Sequence, residues 1–363
     1  MPQPLVTIVT PSYNQSRFIR ATIESVLSQD YPHIEYIVMD GGSTDGTADV
    51  LRDYGSRLTW ISERDRGQSH AINKGFRMAK GEIVSWLNSD DLILPGSVRH
   101  AVAALERNPR AGAVYGEGYQ IDIDGKIKSR FPPTEPFNLW KLIYLSDYIL
   151  QQTLYFRRSA LEDVGLLDED LHFGMDWEIL MRLGKRYPLE YIPEYMGCLR
   201  EYGEAKTFSG GRRRFGELAL IMRRHGGARY PPGYVLYGLD TYATVWCDWI
   251  ERCTPEFANG WSKRLQGFVS LACRYGMERT ICEAQGWYRD GWASPKVKYM
   301  LPPGGGRLRI CGRQPDLGWQ PHNQVLRIER RGEAIGEIAV PVGDFDFTVP
   351  LEPAPSNLPE RLT

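Results

Sequence analysis

The chain has 363 residues, with 44 Lys and Arg against 45 Asp and Glu, and 42% of it is hydrophobic. This is ordinary globular composition, long enough for two or three domains, and it excludes a wholly disordered, collagen-like or coiled-coil protein. A net charge of −1 also argues against a nucleic-acid binder, which would carry a basic excess.

The near-zero total hides segmentation. Residues 1–203 carry 22 basic and 28 acidic groups, residues 204–331 carry 21 and 11, and residues 332–363 carry 1 and 6. No apolar run is long enough for a membrane span, and the N-terminus has no signal-peptide pattern, so the sequence predicts a cytoplasmic protein. The six cysteines form no CxxC pair and read as reduced packing thiols.

Taken in order, Leu5–Thr10 is a short apolar, β-branched run that predicts a strand, and Ser16–Gln29 carries apolar residues at helical spacing. A second strand is expected over Ile34–Met39, then a Gly41-Gly42-Ser43 turn and a helix from Asp45 to about Tyr54. Leu58–Ser62 and Glu82–Leu87 read as strands, and Ser69–Ala79 and Pro95–Arg107 as helices. Strands alternating with helices imply a parallel sheet covered on both faces. Farther on, Tyr115–Ile123 reads as a strand and Trp177–Tyr187 as a helix, with two long helices over Tyr234–Arg252 and Trp261–Tyr288. After Gly291, short strands separated by Gly and Pro predict a small all-β module, and Pro350 onward a loose tail.

Sheets of this kind bind ligands at the carboxyl ends of their strands. All four early strand ends are polar: Thr10-Pro11-Ser12-Tyr13-Asn14, Asp40-Gly41-Gly42-Ser43-Thr44-Asp45, Glu63-Arg64-Asp65-Arg66-Gly67 and Asn88-Ser89-Asp90-Asp91. Adjacent carboxylates at Asp90 and Asp91 repel each other and call for a counter-charge. A hard divalent cation held by carboxylate and phosphate oxygens supplies one. The plain structural alternative is a cap for the next helix. Asp40 suits hydrogen bonds to a base or sugar, or a turn; Tyr13 suits stacking on a base, or surface packing.

Together these segments resemble family 2 glycosyltransferases with the GT-A fold, and the likeness covers roughly residues 4–225. The resemblance implies an α/β architecture: a Rossmann-like mixed sheet flanked by helices. To this the chain adds a helical extension at 226–289 and a β-rich module at 290–363, with the catalytic domain at 1–225. It also implies inverting transfer of a sugar from a nucleotide donor to an acceptor hydroxyl.

Residue by residue, the resemblance implies a nucleotide-sugar site framed by Pro11, Tyr13 and Asn14, with Asp40 on the base and Asp65 and Asn73 holding the nucleoside. Asp90 approaches the ribose and sugar, and Asp91 binds Mn²⁺ or Mg²⁺. Ser89 occupies the first position of the family's DxD motif. Gly174-Met175-Asp176-Trp177-Glu178 resembles the family's acidic motif, with Met175 in place of the usual Glu, so Asp176 is the expected general base. The plain alternative is a helix cap. Trp177 and Glu178 are expected at the acceptor, and Arg200 and Lys206 at the diphosphate. No His follows Arg200, which leaves His172 and His225 as other candidate metal ligands.

The expected partners are a nucleotide-sugar donor and a glycan or lipid-linked glycan acceptor, in cell-surface polysaccharide or glycoconjugate synthesis. The basic segment Arg212–His225 reads either as a packed helix or as a peripheral contact with the inner face of the membrane. Two other functions fit less of the sequence. A nucleotidyltransferase would need a Gly-rich basic loop where Pro11–Asn14 stands. A noncatalytic glycan-binding protein would not need Asp40, Asp90, Asp91 and Asp176 together.

Overall fold

The computed structural model describes residues 3–131, 134–203, 206, 210–227 and 231–253, and in the C-terminal part 284–287, 293–301, 306–314, 324–330, 333–341, 343–351 and 360–362. Contacts divide the chain into two compact units, Met1–Cys273 and Arg274–Thr363.

The first unit begins with the alternation read from the sequence. Strands β1 (Val6–Ser12), β2 (Ile34–Asp40), β3 (Thr59–Ser62) and β4 (Ile83–Trp86) alternate with helices α1 (Ile19–Leu27), α2 (Thr47–Arg52), α3 (Gln68–Met78) and α4 (Ser97–Arg107). β1 is buried along its whole length and pairs in parallel with β2 and β4. Side chains alternate across a strand. Ile8 therefore joins the core layer containing Ile23 and Val98, while Val9 joins the opposite layer containing Ile72 and Trp86. Helix α3 lies directly on β1: a Cβ at Gly75 would stand 2.4 Å from Val9 Cγ1.

Beyond β4 the sheet turns mixed. It adds β5 (Leu92–Ile93), β6 (Ala113–Ile121), β7 (Ile127–Arg130), β8 (Tyr155–Arg157) and β9 (Leu189–Arg200). The order is β3-β2-β1-β4-β8-β6-β9-β5, with β7 on β6. β8 runs antiparallel to β4 and β6, whereas β9 runs parallel to β6. The four early strands pair in parallel, as their alternation with helices predicts, and the later strands make the whole a mixed sheet flanked by helices, as the resemblance implies. β5 pairs Leu92 with Cys198 of β9, which brings Arg200 beside the Asp90-Asp91 turn. Helices α5 (Leu139–Tyr144), α6 (Arg158–Val164) and α7 (Met175–Gly184) close one face. Then α8 (Gly211–Gly226) and α9 (Pro232–Cys253) follow. Cys198 is buried and reduced, and burial pushes its thiol up to about 11.

In the second unit, β10 (Ala284–Trp287), β11 (Ala293–Leu301), β13 (Gln324–Arg330), β14 (Glu333–Val340) and β16 (Glu360–Leu362) form one sheet, and β12 (Gly306–Gln314) pairs with β15 (Gly343–Leu351). Two expectations change here. The helix expected over Trp261–Tyr288 gives way to strand at Ala284–Trp287, and residues 261–283 lie outside the described residues. The expected loose tail ends in β16, whose backbone is paired with β11 and β13.

Candidate functional site

The carboxyl ends of β1 and β4, the loop before α7 and the start of α8 surround one cavity of about 550 Å³. One end carries Pro11, Tyr13 and Asp65. Tyr13 is 62% exposed, with its ring free to take a flat partner. Asp65 accepts the Gly67 N–H at 2.8 Å. Gly41 makes this corner possible, because a Cβ there would lie 2.6 Å from Asp65 Oδ2 and 3.3 Å from the Tyr13 ring.

Asp90 and Asp91 also line the cavity. Asp91 is 2% exposed. Its Oδ2 accepts from Asn88 at 3.0 Å and Gln152 at 2.5 Å, and its Oδ1 from the Arg200 backbone N–H at 2.8 Å. Burial, and then the neighbouring Asp90, push its carboxyl up to about 7. Asp90 accepts from the Tyr202 hydroxyl at 2.8 Å, and burial raises it as well. Among the described residues no group of three or more His, Cys, Asp or Glu is arranged to hold a metal. Two hard carboxylates do fit a divalent cation that takes its other ligands from substrate phosphate and water. Gln152 adds an observation to that fit. Its amide N–H is committed to Asp91, and its Oε1 is buried with no hydrogen-bond partner. Ser12 Oγ and Trp86 Nε1, two more cavity-lining groups, are buried and unpartnered in the same way.

Asp176 and Asp147 line the same cavity. Both are partly buried. Burial raises both carboxyls, and the Asp176 carboxylate raises Asp147 further. Lys206 and Arg214 pull Asp176 back toward ionisation. The loop that presents Asp176 is fixed by Glu217 of α8, which accepts the backbone N–H groups of His172, Phe173 and Gly174 at 2.9, 2.5 and 2.8 Å. Asp176 accepts the N–H of Trp177 at 2.9 Å. Trp177 lines the cavity and donates its indole N–H to the Leu142 carbonyl at 2.7 Å. Lys206 donates to Gln68 at 2.7 Å, and burial lowers its ammonium.

Four expected contacts lie elsewhere. The Asp40 carboxylate is taken up by the Gly42 and Ser43 N–H groups and by the Ser43 and Ser62 hydroxyls, so it shapes the loop after β2. Asn14 has φ 53 and accepts from Thr44, stapling two loops together. Asn73 is buried against Leu167 and Glu169, tying α3 to the segment before α7. Glu178 faces away from the cavity, gripped by both Arg182 Nε contacts at 2.8 and 2.9 Å and by His225 at 3.2 Å. His225 is thereby removed from the candidate metal ligands, while His172 does line the cavity. Arg200 lines the cavity too, but its guanidinium donates to the carbonyls of Asp90, Asp122 and Ile123.

The sequence reading missed Asp147, Gln152 and Trp86. Asp147 and Gln152 sit in an irregular segment and a 3-10 turn, where no periodicity marks them.

Residues 7–165 match the family model described as Glycosyl transferase family 2. An uncharacterized glycosyltransferase of Rickettsia typhi is 32% identical over 183 residues, which is 48% of this chain and 57% of that protein. A poly-β-1,6-N-acetyl-D-glucosamine synthase of Staphylococcus epidermidis is 28% identical, covering 52% of this chain and 48% of its own length. The chain thus spans about half the length of these relatives. S. aureus TarS 1–349 in complex with UDP-GlcNAc superimposes with a TM-score of 0.49 and 17% identity, over 76% of this chain and 91% of that one.

Proposed function

We propose, from the match of residues 7–165 to the glycosyl transferase family 2 model, that the chain transfers a sugar, with inversion, from a nucleoside-diphosphate sugar to an acceptor hydroxyl. The observation that carries this reading is one cavity lined by both the Asp90-Asp91 pair and the Asp176 carboxyl. The Staphylococcus epidermidis relative, named for polysaccharide synthesis, supports a role in making a cell-surface polysaccharide or glycoconjugate.

In this reading the nucleobase lies against Tyr13 and Pro11, with Asp65 as a hydrogen-bond acceptor. Asp91 and Asp90 are the residues that would hold a divalent cation, Mn²⁺ or Mg²⁺, which would supply charge stabilisation to the departing diphosphate. Lys206 adds a positive charge near the same leaving group. Asp176 takes the proton from the attacking hydroxyl. Its elevated carboxyl suits that task, because a general base works best with a pKa near the operating pH. Trp177 offers the acceptor sugar an apolar wall. Glu217 keeps the Asp176 loop in place, so the base is positioned before substrate arrives.

A thermal-shift panel of UDP, GDP and their sugar conjugates, with and without Mn²⁺, tests the reading. Stabilisation by one nucleoside diphosphate and slow, metal-dependent hydrolysis of its sugar conjugate are expected. No stabilisation by any of them would overturn it.

A further inference from the structure

Helices α8 and α9 have two faces with opposite characters. Toward the interior they contribute Arg214, Leu218 and Tyr237 to the cavity. Toward the outside, α9 exposes Val235, Leu239, Tyr242 and Trp246, a stripe at spacings of four, three and four residues; Trp246 is 64% exposed. That spacing puts all four on one side of the helix. Leu220 of α8 is exposed as well. The two helices pack against each other through Phe215, whose ring meets those of Tyr234 and Tyr242 at 5.0 and 5.9 Å.

The rim of this face is basic. The guanidinium of Arg212 lies over the Tyr242 ring and that of Arg223 over Tyr234, at 5.6 and 5.0 Å. Arg213 is also exposed, as is Arg224, which pairs with Asp168 at 2.8 Å. Glu217, the one acidic residue of α8, is turned inward to the backbone of residues 172–174. An apolar stripe with Trp and Tyr, edged by arginines, matches the chemistry of an anionic lipid interface: apolar groups enter the acyl boundary and guanidinium groups meet phosphates. Among the described residues no helix is long and apolar enough to cross a membrane, so attachment through these helices would be lateral.

We infer that the outer face of α8 and α9 docks on an anionic phospholipid surface. The same helices then hold the membrane on one side and the acceptor end of the cavity on the other. The inference goes beyond the proposed reaction and is independent of it.

Flotation with phosphatidylcholine vesicles, with and without phosphatidylglycerol, tests it. The wild-type protein should float only with the anionic vesicles, and added salt should weaken that binding. Leu239→Ser with Trp246→Ser should abolish flotation, and so should Arg212→Glu with Arg223→Glu. The second pair leaves the apolar stripe intact if the first fails to fold. Circular dichroism and binding of UDP or GDP check that each variant remains native. Wild-type protein that stays unbound, or variants that float as it does, would overturn the inference. So would a dimer in light scattering that the Leu239→Ser, Trp246→Ser protein loses, because the face would then belong to a second copy.

Discussion

The Asp147 carboxyl is held well above the ordinary carboxylate range, first by burial and then by the Asp176 carboxylate that shares its cavity. Two such groups do not both ionise easily, and their protons leave in steps that belong to the pair. Arg214 favours the anion at both carboxyls and Lys206 at Asp176, while Asp147 is the one held well above the ordinary range, so Asp147 is the group that keeps its proton longer. Asp176→Asn should therefore lower turnover by about a hundredfold or more while nucleoside diphosphate binding is kept. Asp147→Asn should retain turnover and lose one ionisation from the pH–rate profile. Turnover by Asp176→Asn equal to wild type would remove Asp176 as the base.

The same pair sets a pH dependence of stability. Both folded-state carboxyls lie above their unfolded values. The native state therefore binds more protons than the unfolded chain, and this contribution to stability is complete below the ordinary carboxylate range and is lost as pH rises through the folded values. Each unit of elevation corresponds to about 1.4 kcal/mol. Asp147→Asn has no such proton to lose. Its Tm, measured without ligand across an acidic-to-alkaline series, should fall less steeply than that of the wild-type protein. Parallel curves would contradict this.

Gln152 lines the cavity and donates its amide to Asp91, and its Oε1 is a buried acceptor without a partner. A donor sugar carries hydroxyl or amide hydrogens that can meet it. Gln152→Met keeps the volume and removes the acceptor. Calorimetry should show binding of the sugar nucleotide weakened by about tenfold relative to the bare diphosphate, one hydrogen bond's worth. An equal loss for both ligands would assign Gln152 only to support of Asp91.

At Gly41 the constraint is steric. A methyl group there would stand 2.6 Å from Asp65 Oδ2 and press on the Tyr13 ring. The short Asp65 side chain can turn aside, so Gly41→Ala should fold with Tm close to wild type. It should bind nucleoside monophosphate and diphosphate more weakly by a similar factor, because the defect lies at the base and not at the phosphates. Unchanged affinity would show that the base binds elsewhere.

The first four strands and helices were legible in the sequence because short apolar, β-branched runs alternate with helical spacing, and β1, β2 and β4 are buried along most of their length, with β3 the half-exposed edge. β5 and β8, two and three residues long, carry no pattern of their own; they are strands only because β9, β4 and β6 pair with them. β9 was hidden by Pro193 and by its mixed exposure. At the site, residue type was readable but direction was not. Asp40 and Asp65 occupy similar turns after neighbouring strands, yet one bonds its own loop and the other lines the cavity. Asp147 enters through tertiary folding alone, from a segment without periodicity.

Glu178 illustrates the same limit and gives the last prediction. Its position beside Asp176 and Trp177 points to the acceptor in sequence, but two residues are little more than half a helical turn, which carries its side chain to the opposite side, into a pocket with Arg182 and His225. Arg182 in turn donates to the carbonyls of Val164, Gly165 and Leu166, so the carboxylate fixes the link between α6 and α7. Both neighbours lower its carboxyl, although burial opposes them. Removing one partner of a buried ion pair leaves the other charge uncompensated, at a cost of about 3 kcal/mol. Glu178→Ala should therefore lower the midpoint of urea unfolding, whereas turnover per folded molecule and acceptor KM stay near wild type. A raised KM at unchanged stability would instead return Glu178 to the acceptor site.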